Sequence, residues 1–412
     1  MKELFNLGDL YVSDFVKPGE DYRAGRVGLK LVFDEERQAA RLEEVTPGEF
    51  MYGRYWYRSG TNATMTNELK GIVDSIRRTY KMPEGVTWLD IACNDGTLLS
   101  FVPKEYLRIG VDPVDDTYKA ESEKNAHLII QDYFSADSYN NGLLDNLGAT
   151  CKADIVTIIA MFYDLEYPDV FLRDLSSVMN DDGLLVVQMS YTPLMIEQMA
   201  FDNICHEHLY YHSLASIKKL FNENGFQIVD TELNDVNGGS FRVYAMKNNA
   251  DLTRFGTQPY RDVCEYRVNS LLEYEEVKGY NTPEIWNGFY QNLLELKEQT
   301  YNFIKQAKDD GKTIWGYGAS TKGNTLLQYF GLDHTLIDGI AERSPYKFGL
   351  KTVGTEIPIY SEEEMRAANP DYLLVLPWHF INEFVNREQE YLRNGGKFIV
   401  PCPKFEVIGY QC

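Results

Sequence analysis

Asp90 and the turn after it have residue types and an order that suit ligand binding. Asp90 lies near the end of an apolar segment at 87–92, and Asn94 and Gly96 belong to a tight turn that precedes an apolar helix. A carboxylate at this place can accept a hydrogen bond from an ammonium or hydroxyl group. Glycine at position 96 lets the backbone approach a ligand closely. We therefore predict a ligand site at this strand end.

Acidic residues also end the next two strand-like segments. Asp112 follows segment 108–111 and can receive both hydroxyls of a ribose. Asp132 and Tyr133 follow segment 126–130, where a polar side chain can contact the edge of an adenine. The plain structural alternative is that these are caps and turn residues, since Asn and Asp favour such positions. Three such strand ends in succession favour a nucleoside-containing ligand.

A histidine cluster is the second feature with chemical potential. His206, His208 and His212 lie in one short stretch, with Glu207 between the first two. His208 and His212 have the spacing of a helical zinc pair, but leucine follows His208, so the H-E-x-x-H pattern is not met. A purely structural role is the other alternative. Because imidazole titrates near neutral pH and a neighbouring carboxylate can support it, we favour acid–base chemistry and predict no metal.

Gly318 and Lys322 belong to a second glycine-containing turn before a helix. Backbone amides at a helix start, together with the lysine, can receive a diphosphate. Thr321 occupies the third glycine position of G-x-G-x-x-G, and the turn is not a Walker loop, so a plain helix cap is an equal alternative. Arg242 is a further candidate for phosphate, although arginines are more often solvated.

The elements around these residues alternate between strand and helix. Apolar residues at helical spacing predict a helix at 67–80, and longer helices are predicted at 260–274 and 289–308. Strands are predicted at 87–92, 108–111, 126–130, 154–159, 184–188, 313–317, 336–341, 372–376 and 397–400, and a hairpin joins 226–233 to 241–247. This alternation indicates an α/β fold with parallel, doubly wound sheets.

Four regions are predicted along the chain. Residues 1–55 form a small irregular or β-rich module, and 56–248 form a central α/β domain. Residues 249–309 form a helical connector, and 310–412 form a smaller α/β domain. A chain of 412 residues is long enough for more than one core.

Composition excludes several classes of partner. The net charge of -22 argues against nucleic acid and anionic membranes as partners. No apolar run reaches membrane-spanning length, and residues 1–14 lack the pattern of a signal peptide. The six cysteines form no C-x-x-C pair, so neither a disulfide framework nor a zinc knuckle is expected. These features predict a cytoplasmic protein.

Taken together, the motifs resemble those of one known family. The chain resembles the C-methyltransferases of deoxysugar biosynthesis, which act on nucleotide-linked 4-keto-6-deoxy sugars. The similar stretches are Leu-Asp-Ile-Ala-Cys-Asn-Asp-Gly at 89–96, Phe-Asp-Asn-Ile-Cys-His-Glu-His at 201–208, Asn-Gly-Gly-Ser at 237–240 and Trp-Gly-Tyr-Gly-Ala-Ser-Thr-Lys at 315–322. Met-Phe-Tyr-Asp at 161–164 and Leu-Pro-Trp-His-Phe at 376–380 look like a subgroup of its relatives. The resemblance covers nearly the whole chain in the same order.

This resemblance implies a fold, a cofactor and a reaction. It implies a class I methyltransferase Rossmann-like domain, a second, smaller C-terminal Rossmann-like domain and a small N-terminal module, with a nucleotide sugar between the first two. The implied cofactor is S-adenosylmethionine, and the implied reaction methylates carbon next to a ketone. The predicted cofactor contacts are Asp90, Asn94, Gly96, Asp112, Asp132 and Tyr133.

The resemblance also assigns roles to individual residues. His208 matches the proposed base of the family, Glu207 its partner, and Tyr57 an active-site tyrosine. The predicted substrate contacts are Asn237, Gly238, Gly239, Arg242, Gly318 and Lys322.

The chain departs from the family pattern at four places. Alanine occupies position 92, where glycine is usual. Cys205 replaces an active-site tyrosine, and Asp164 replaces a histidine. The cysteine zinc ligands of the N-terminal module are absent from residues 1–55, so we predict no structural zinc.

Other functions remain open from the sequence. One is an O- or N-methyltransferase acting on another small metabolite. Another is a dinucleotide-dependent oxidoreductase that uses the C-terminal domain. A third is a sugar-nucleotide binding protein without catalysis.

Overall fold

The structure is a computed structural model, and it describes residues 1–52 and 56–410. The strands are β1 (Lys2–Tyr11), β2 (Phe15–Val16), β3 (Arg26–Asp34), β4 (Ala39–Leu42), β5 (Thr87–Ile91), β6 (Leu107–Val111), β7 (Leu128–Ile130), β8 (Ala153–Ile159), β9 (Met179–Ser190), β10 (Tyr210–Tyr211), β11 (Phe226–Asn234), β12 (Ser240–Lys247), β13 (Ile314–Tyr317), β14 (Gly339–Glu342), β15 (Lys351–Thr352), β16 (Ile359–Ser361), β17 (Tyr372–Val375), β18 (Lys397–Val400) and β19 (Glu406–Ile408). The α-helices are α1 (Gly48–Tyr52), α2 (Ala63–Thr79), α3 (Thr97–Phe101), α4 (Asp116–Ser122), α5 (Ala136–Leu147), α6 (Pro168–Val178), α7 (Thr192–Glu197), α8 (Leu214–Glu223), α9 (Gln258–Lys278), α10 (Ile285–Asp309), α11 (Thr321–Phe330), α12 (Glu362–Ala368), α13 (Ile381–Arg387) and α14 (Gln389–Arg393).

The central sheet has the order β11-β12-β9-β8-β5-β6-β7. All of its strands are parallel except β12, which is antiparallel to both neighbours. Every residue of β5 is buried because helices cover both faces of the sheet. This is the class I methyltransferase sheet that the resemblance implies, and that expectation of the fold is confirmed.

A smaller C-terminal sheet has the order β16-β14-β13-β17-β18-β19. Its strands are parallel except β19, which pairs antiparallel with β18. Helix α11 follows β13 directly, as in other Rossmann-like sheets, and its apolar residues belong to the core of this domain. The second Rossmann-like domain expected from the sequence is therefore present.

The N-terminal strands form a sheet that a distant strand completes. The order is β1-β3-β4-β10, all antiparallel, and β10 pairs Tyr210 with Arg41 and Tyr211 with Ala40. Because β10 follows His208 by one residue, this sheet anchors one end of the histidine stretch. A short antiparallel pair, β2 with β15, also ties the N-terminal region to the C-terminal domain. Neither pairing was predicted, since both join segments far apart in sequence.

Several element boundaries differ from prediction for local reasons. Helix α2 begins at Ala63 rather than 67, because the Asn62 side chain accepts hydrogen bonds from the amides of Thr64 and Met65 and so caps an earlier turn. Strand β9 is longer than predicted because its first part pairs with β8 at Ala153. Within the described residues, no helix combines the length and apolarity needed to cross a membrane.

Candidate active site

A cavity of about 400 Å³ lies at the carboxyl ends of β5, β6, β7 and β8. Asp90, Asp112 and Asp132 line it, one from each of the three strand ends singled out in the sequence. Parallel strands bring their carboxyl ends to one edge of a sheet, which is why residues far apart in sequence meet here. Among the described residues that line it, the charged side chains are all carboxylates, because Asp164 and Glu166 also line it.

Asp90 and Asp112 are buried carboxylates with few compensating contacts. Asp90 is 3% exposed and accepts a hydrogen bond of 2.6 Å from the Thr157 hydroxyl. Burial raises the pKa of Asp90 to about 7, despite that bond. Asp112 accepts from the backbone amides of Asn94 (2.8 Å) and Val114 (3.1 Å), yet burial raises its pKa as well. A cationic ligand would stabilise the charged form of both carboxyl groups, so the cavity favours a ligand with positive charge.

The backbone around the cavity adopts unusual conformations. Ala92, Asn94 and Ala160 all line the cavity and all have positive φ, at 59°, 51° and 55°. A left-handed conformation costs an alanine about 1–2 kcal/mol, so Ala92, where the usual methyltransferase signature has glycine, is a strained position. Such strain is common where a chain must present groups to a ligand.

Gly96 serves packing and is not among the cavity-lining residues. Its φ is 74°, and a Cβ atom there would lie 2.7 Å from the Ser122 Cα at the end of α4. The sequence predicted glycine at position 96 because of a ligand. In the structure, the end of α4 lies so close to the turn that a larger residue would not fit. Asp132 and Tyr133 are exposed at the cavity, and Asp132 accepts a hydrogen bond from the Tyr133 amide.

Asn94 holds the segment that carries Tyr57. Its side-chain amide donates to the Tyr57 carbonyl at 3.0 Å, and its side-chain oxygen accepts from the Ser59 amide at 3.1 Å. Asp95 accepts from the Gly60 amide at 2.7 Å. The turn predicted to contact the cofactor through Asn94 thus uses that side chain to clamp a neighbouring segment. The sequence carried no signal for this role, because the partners lie 35 residues or more away.

Tyr57 itself lines the cavity. Although 42% of the residue is accessible, loss of solvent around the phenol raises its pKa. The negative charge of Asp95 makes a smaller contribution in the same direction. The hydroxyl therefore stays protonated at neutral pH and is available as a hydrogen-bond donor. Arg58 next to it stacks on Tyr118 and Tyr346, which come from the central and C-terminal domains.

Glu207 and His208 lie beside the cavity and do not line it. Leu209, the next residue, does line it and donates its amide to the Tyr163 carbonyl. The His208 ring is 4.3 Å from the Tyr163 ring, and its Nδ1 is 2.8 Å from the Asn203 carbonyl oxygen. The side chains of Cys205, Glu207 and His208 each have an atom that could bind a metal ion, and these atoms lie within 4.8 Å of one another. The pair therefore lies directly behind the lining residue Leu209 and close to Cys205.

The titration of this pair is shifted by burial. Burial raises the pKa of Glu207 to about 7 and lowers that of His208 to about 3. The positive charge of Lys322 lowers the pKa of both groups, which favours an ionised Glu207 and a neutral His208. His208 is thus an unprotonated imidazole at neutral pH, and Glu207 gains its charge near pH 7.

The other two histidines of the cluster face elsewhere. His206 Nε2 lies 3.1 Å from the Val27 carbonyl oxygen, and His212 Nδ1 lies 3.2 Å from the Ser216 hydroxyl. They therefore do not form one metal site with His208. Cys205, Glu207 and His208 have donor atoms suited to a metal, but the nearby Lys322 charge opposes a cation there. The absence of structural zinc stays a prediction.

The predicted substrate contacts lie in two different places. Asn237, Gly238 and Gly239 form the turn between β11 and β12, and a Cβ on Gly238 would lie 3.3 Å from the Trp378 ring. Gly318 has a similar reason to be glycine, because a Cβ there would lie 2.7 Å from Pro377. These glycines allow close packing at the junction between the two Rossmann-like domains.

Arg242 lies away from that junction. Its guanidinium is 2.6 Å from Glu68 on α2 and 3.0 Å from Glu232, and the residue is 7% exposed. The expectation that Arg242 binds substrate phosphate has no support in this geometry, because two carboxylates already neutralise it. Lys322 is also placed differently from expectation, since it donates to Asn203 in the loop that carries Glu207 and His208.

Comparisons with known proteins bear on the same two domains. Residues 62–231 match the family described as "Methyltransferase domain", and residues 235–403 match the "C-methyltransferase C-terminal domain". The C-methyltransferase NovU of Streptomyces niveus is 29% identical over 379 residues, which is 90% of this chain and 85% of that protein.

Solved structures of other methyltransferases are more distant. Magnesium protoporphyrin IX methyltransferase (ChlM) from Synechocystis PCC 6803 with bound SAH is 17% identical, with a TM-score of 0.34, over 48% of this chain and 92% of that one. The plantazolicin methyltransferase BpumL in complex with SAH is 14% identical, with a TM-score of 0.33, over 44% of this chain and 82% of that one. The two family matches and the similarity to NovU show that the chain is a methyltransferase that uses S-adenosylmethionine and that it is similar to C-methyltransferases.

Proposed function

We propose that the protein methylates a carbon next to the ketone of a nucleotide-linked 4-keto-6-deoxy sugar. The observation that carries this proposal is the position of the Glu207–His208 pair next to Leu209, which lines the cavity at the carboxyl ends of β5 to β8. Methyl transfer to oxygen or nitrogen needs no enolising base, whereas transfer to carbon does. A buried, unprotonated imidazole with a carboxylate beside it suits that task.

On the donor side, the three strand-end carboxylates each bind a different part of S-adenosylmethionine. Asp90 accepts from the ammonium group, Asp112 from the ribose hydroxyls, and Asp132 with Tyr133 contacts the adenine. S-adenosylmethionine supplies a methyl group on a positively charged sulfur. The carboxylates among the described lining residues suit this cation, and Asn94 holds the segment of Tyr57 at the same site.

On the acceptor side, His208 and Tyr57 act on the keto sugar. His208 takes the proton from the carbon next to the ketone, and the resulting enolate oxygen accepts a hydrogen bond from the Tyr57 hydroxyl. The enolate carbon then forms the new bond to the methyl group, and the electron pair of the broken carbon–sulfur bond stays on sulfur. Ionised Glu207 stabilises the imidazolium that this leaves on His208. The nucleotide lies along the turn at 237–239 and Gly318, at the domain junction.

Proton exchange tests this chemistry without methyl transfer. The enzyme is incubated in heavy water with thymidine diphosphate 4-keto-6-deoxyglucose and S-adenosylhomocysteine, which blocks transfer. We expect deuterium to enter one ring position next to the ketone, seen by NMR. With carbon-13 methyl donor, the label should appear bonded to that same carbon. A product with its methyl on oxygen or nitrogen, or no exchange with keto sugars of any nucleotide, would contradict the proposal.

Donor binding should release a proton from Asp90. Since the pKa of Asp90 is about 7, the carboxyl is largely protonated at pH 6, and the donor ammonium favours its charged form. Affinity for S-adenosylmethionine should therefore rise with pH, by up to about tenfold per unit below pH 7, and level off above it.

Calorimetry in two buffers of different ionisation enthalpy measures that proton directly. Asp90→Asn cannot release it and should bind more weakly with no such pH dependence. Thr157→Val is the matched variant, because it keeps the Asp90 carboxyl and removes the hydroxyl that donates to Asp90 and accepts from the Trp88 indole. Equal binding heats in both buffers at pH 6 would show that Asp90 does not carry the proton.

A further inference from the structure

Asn203 connects the C-terminal domain to the ring of His208. Its side-chain oxygen accepts a hydrogen bond of 2.5 Å from the Lys322 ammonium, at the start of α11. Its backbone carbonyl lies 2.8 Å from His208 Nδ1. One residue of the central domain thus contacts both a lysine of the other domain and the proposed base.

We infer that Lys322 is a positioning residue: through Asn203 it holds His208 in the tautomer whose Nε2 lone pair can take the substrate proton. The inference rests on the proposed function for the role of His208. It also replaces the expectation that Lys322 binds a diphosphate.

The tautomer follows from the partner of Nδ1. A backbone carbonyl can only accept, so Nδ1 must carry the hydrogen and Nε2 must carry the lone pair. A histidine whose second nitrogen is held in this way has its ring orientation and tautomer set by the partner. Asn203 lies in a 3-10 turn, Phe201–Asn203, so its carbonyl direction depends on how that turn is held.

Contacts from the C-terminal domain hold the same turn at a second point. The Trp378 indole donates to the Asp202 carboxylate at 3.1 Å, and the Trp378 ring packs against Gly238. Thr321, next to Lys322, hydrogen-bonds the Glu207 carboxylate. The start of α11 and the 3-10 turn Trp378–Phe380 therefore both contact the loop at 201–208.

The Lys322 ammonium also acts on the pKa of a group of buried titratable side chains. The group consists of Asp202, Cys205, Glu207 and His208 from the loop at 201–208 and His379 from the 3-10 turn Trp378–Phe380. Asp164 and Glu207 oppose ionisation of Cys205, whereas the Lys322 charge favours it. Loss of the lysine charge would therefore shift Glu207 toward its protonated form.

Lys322→Met and Lys322→Arg in the full-length enzyme test the inference. Nitrogen-15 NMR of labelled histidine, with His208 assigned from a His208→Gln spectrum, reads the tautomer without any substrate. In Lys322→Met we expect the Nδ1-protonated form of His208 to lose its dominance. The turnover number should fall by about 10–100-fold, as for other residues that orient an active-site histidine. Lys322→Arg should retain more of the Nδ1-protonated form of His208 and a higher turnover number than Lys322→Met.

The pH profile separates this role from a structural one. In Lys322→Met the acidic limb of the kcat/KM profile should shift to higher pH, because Glu207 would then need a higher pH to ionise. Affinity for thymidine diphosphate should stay within about twofold of wild type. Lys397→Met, at an exposed lysine of the same domain, should change none of these quantities. Unchanged affinity for S-adenosylhomocysteine verifies that each variant is folded.

Two results would overturn the inference. One is an unchanged His208 tautomer and acidic limb in Lys322→Met. The other is a large loss of thymidine diphosphate affinity with normal turnover at saturation, which would make Lys322 a phosphate ligand. Failure of the proposed function is a separate result, because it would show as absent proton exchange in the wild-type enzyme, whereas the tautomer is read without substrate.

Discussion

His208→Ala is expected to lower the turnover number by about 10²–10⁴-fold, the usual contribution of a positioned general base. The same variant should lose deuterium exchange next to the ketone to a similar degree, because both processes begin with the same proton transfer. Affinity for S-adenosylhomocysteine should stay near wild type, since His208 does not line the cavity. Stopped-time assays by mass spectrometry and exchange by NMR give the two rates.

The pH dependence tells how the pair shares this work. A neutral imidazole with a pKa near 3 is a weak base unless a nearby anion stabilises its protonated form. Glu207 becomes that anion as the pH passes about 7, so kcat/KM should rise through pH 7 in the wild type. The two groups titrate as a unit, and the apparent pKa belongs to the pair. In Glu207→Gln the rise should disappear, leaving a low and flat profile.

Matched variants isolate the chemistry from folding. His334→Ala removes an exposed histidine of the C-terminal domain and should leave both rates unchanged. Full methylation by His208→Ala would rule out this residue as the base. Full exchange combined with lost methylation would instead place His208 after proton abstraction, in the methyl-transfer step.

The cavity at the carboxyl ends of the strands could be predicted from the sequence because its signals are local. Asp90, Asp112 and Asp132 each follow an apolar strand, and parallel strands place their ends together whatever the rest of the chain does. The alternation of strands and helices predicted both Rossmann-like sheets for the same reason. Boundaries were less exact where a single side chain decides them, as Asn62 does for α2.

The acceptor side could not be read in this way because its contacts join distant segments. Lys322 is 119 residues from Asn203 in sequence, and Trp378 is 176 residues from Asp202. Arg242 shows the opposite error, since a lone arginine in a strand gives no sign that Glu68 on a distant helix will neutralise it. Charge type alone therefore suggested phosphate contacts that the packing does not provide.

Asp112→Ala should weaken binding of S-adenosylhomocysteine by about 10²–10⁴-fold. A carboxylate that accepts from two ribose hydroxyls makes two charge-assisted hydrogen bonds, each worth about 1.5–3 kcal/mol. Isothermal titration calorimetry measures the loss, and S-adenosylhomocysteine serves better than the donor because it lacks the sulfonium charge. The remaining binding should come from the Asp90 and Asp132 ends of the cavity.

Asp112 also stabilises the empty protein, so its two roles must be separated. It accepts from the amides of Asn94 and Val114, and alanine would leave both unsatisfied. Asp112→Asn has the same shape but can direct an oxygen to only one of the two sides, so its affinity should lie between wild type and alanine. Asp137→Ala, an exposed carboxylate on α5, controls for net charge. Wild-type affinity in an Asp112→Ala protein that melts at a lower temperature would show that Asp112 shapes the turn and does not hold the ribose.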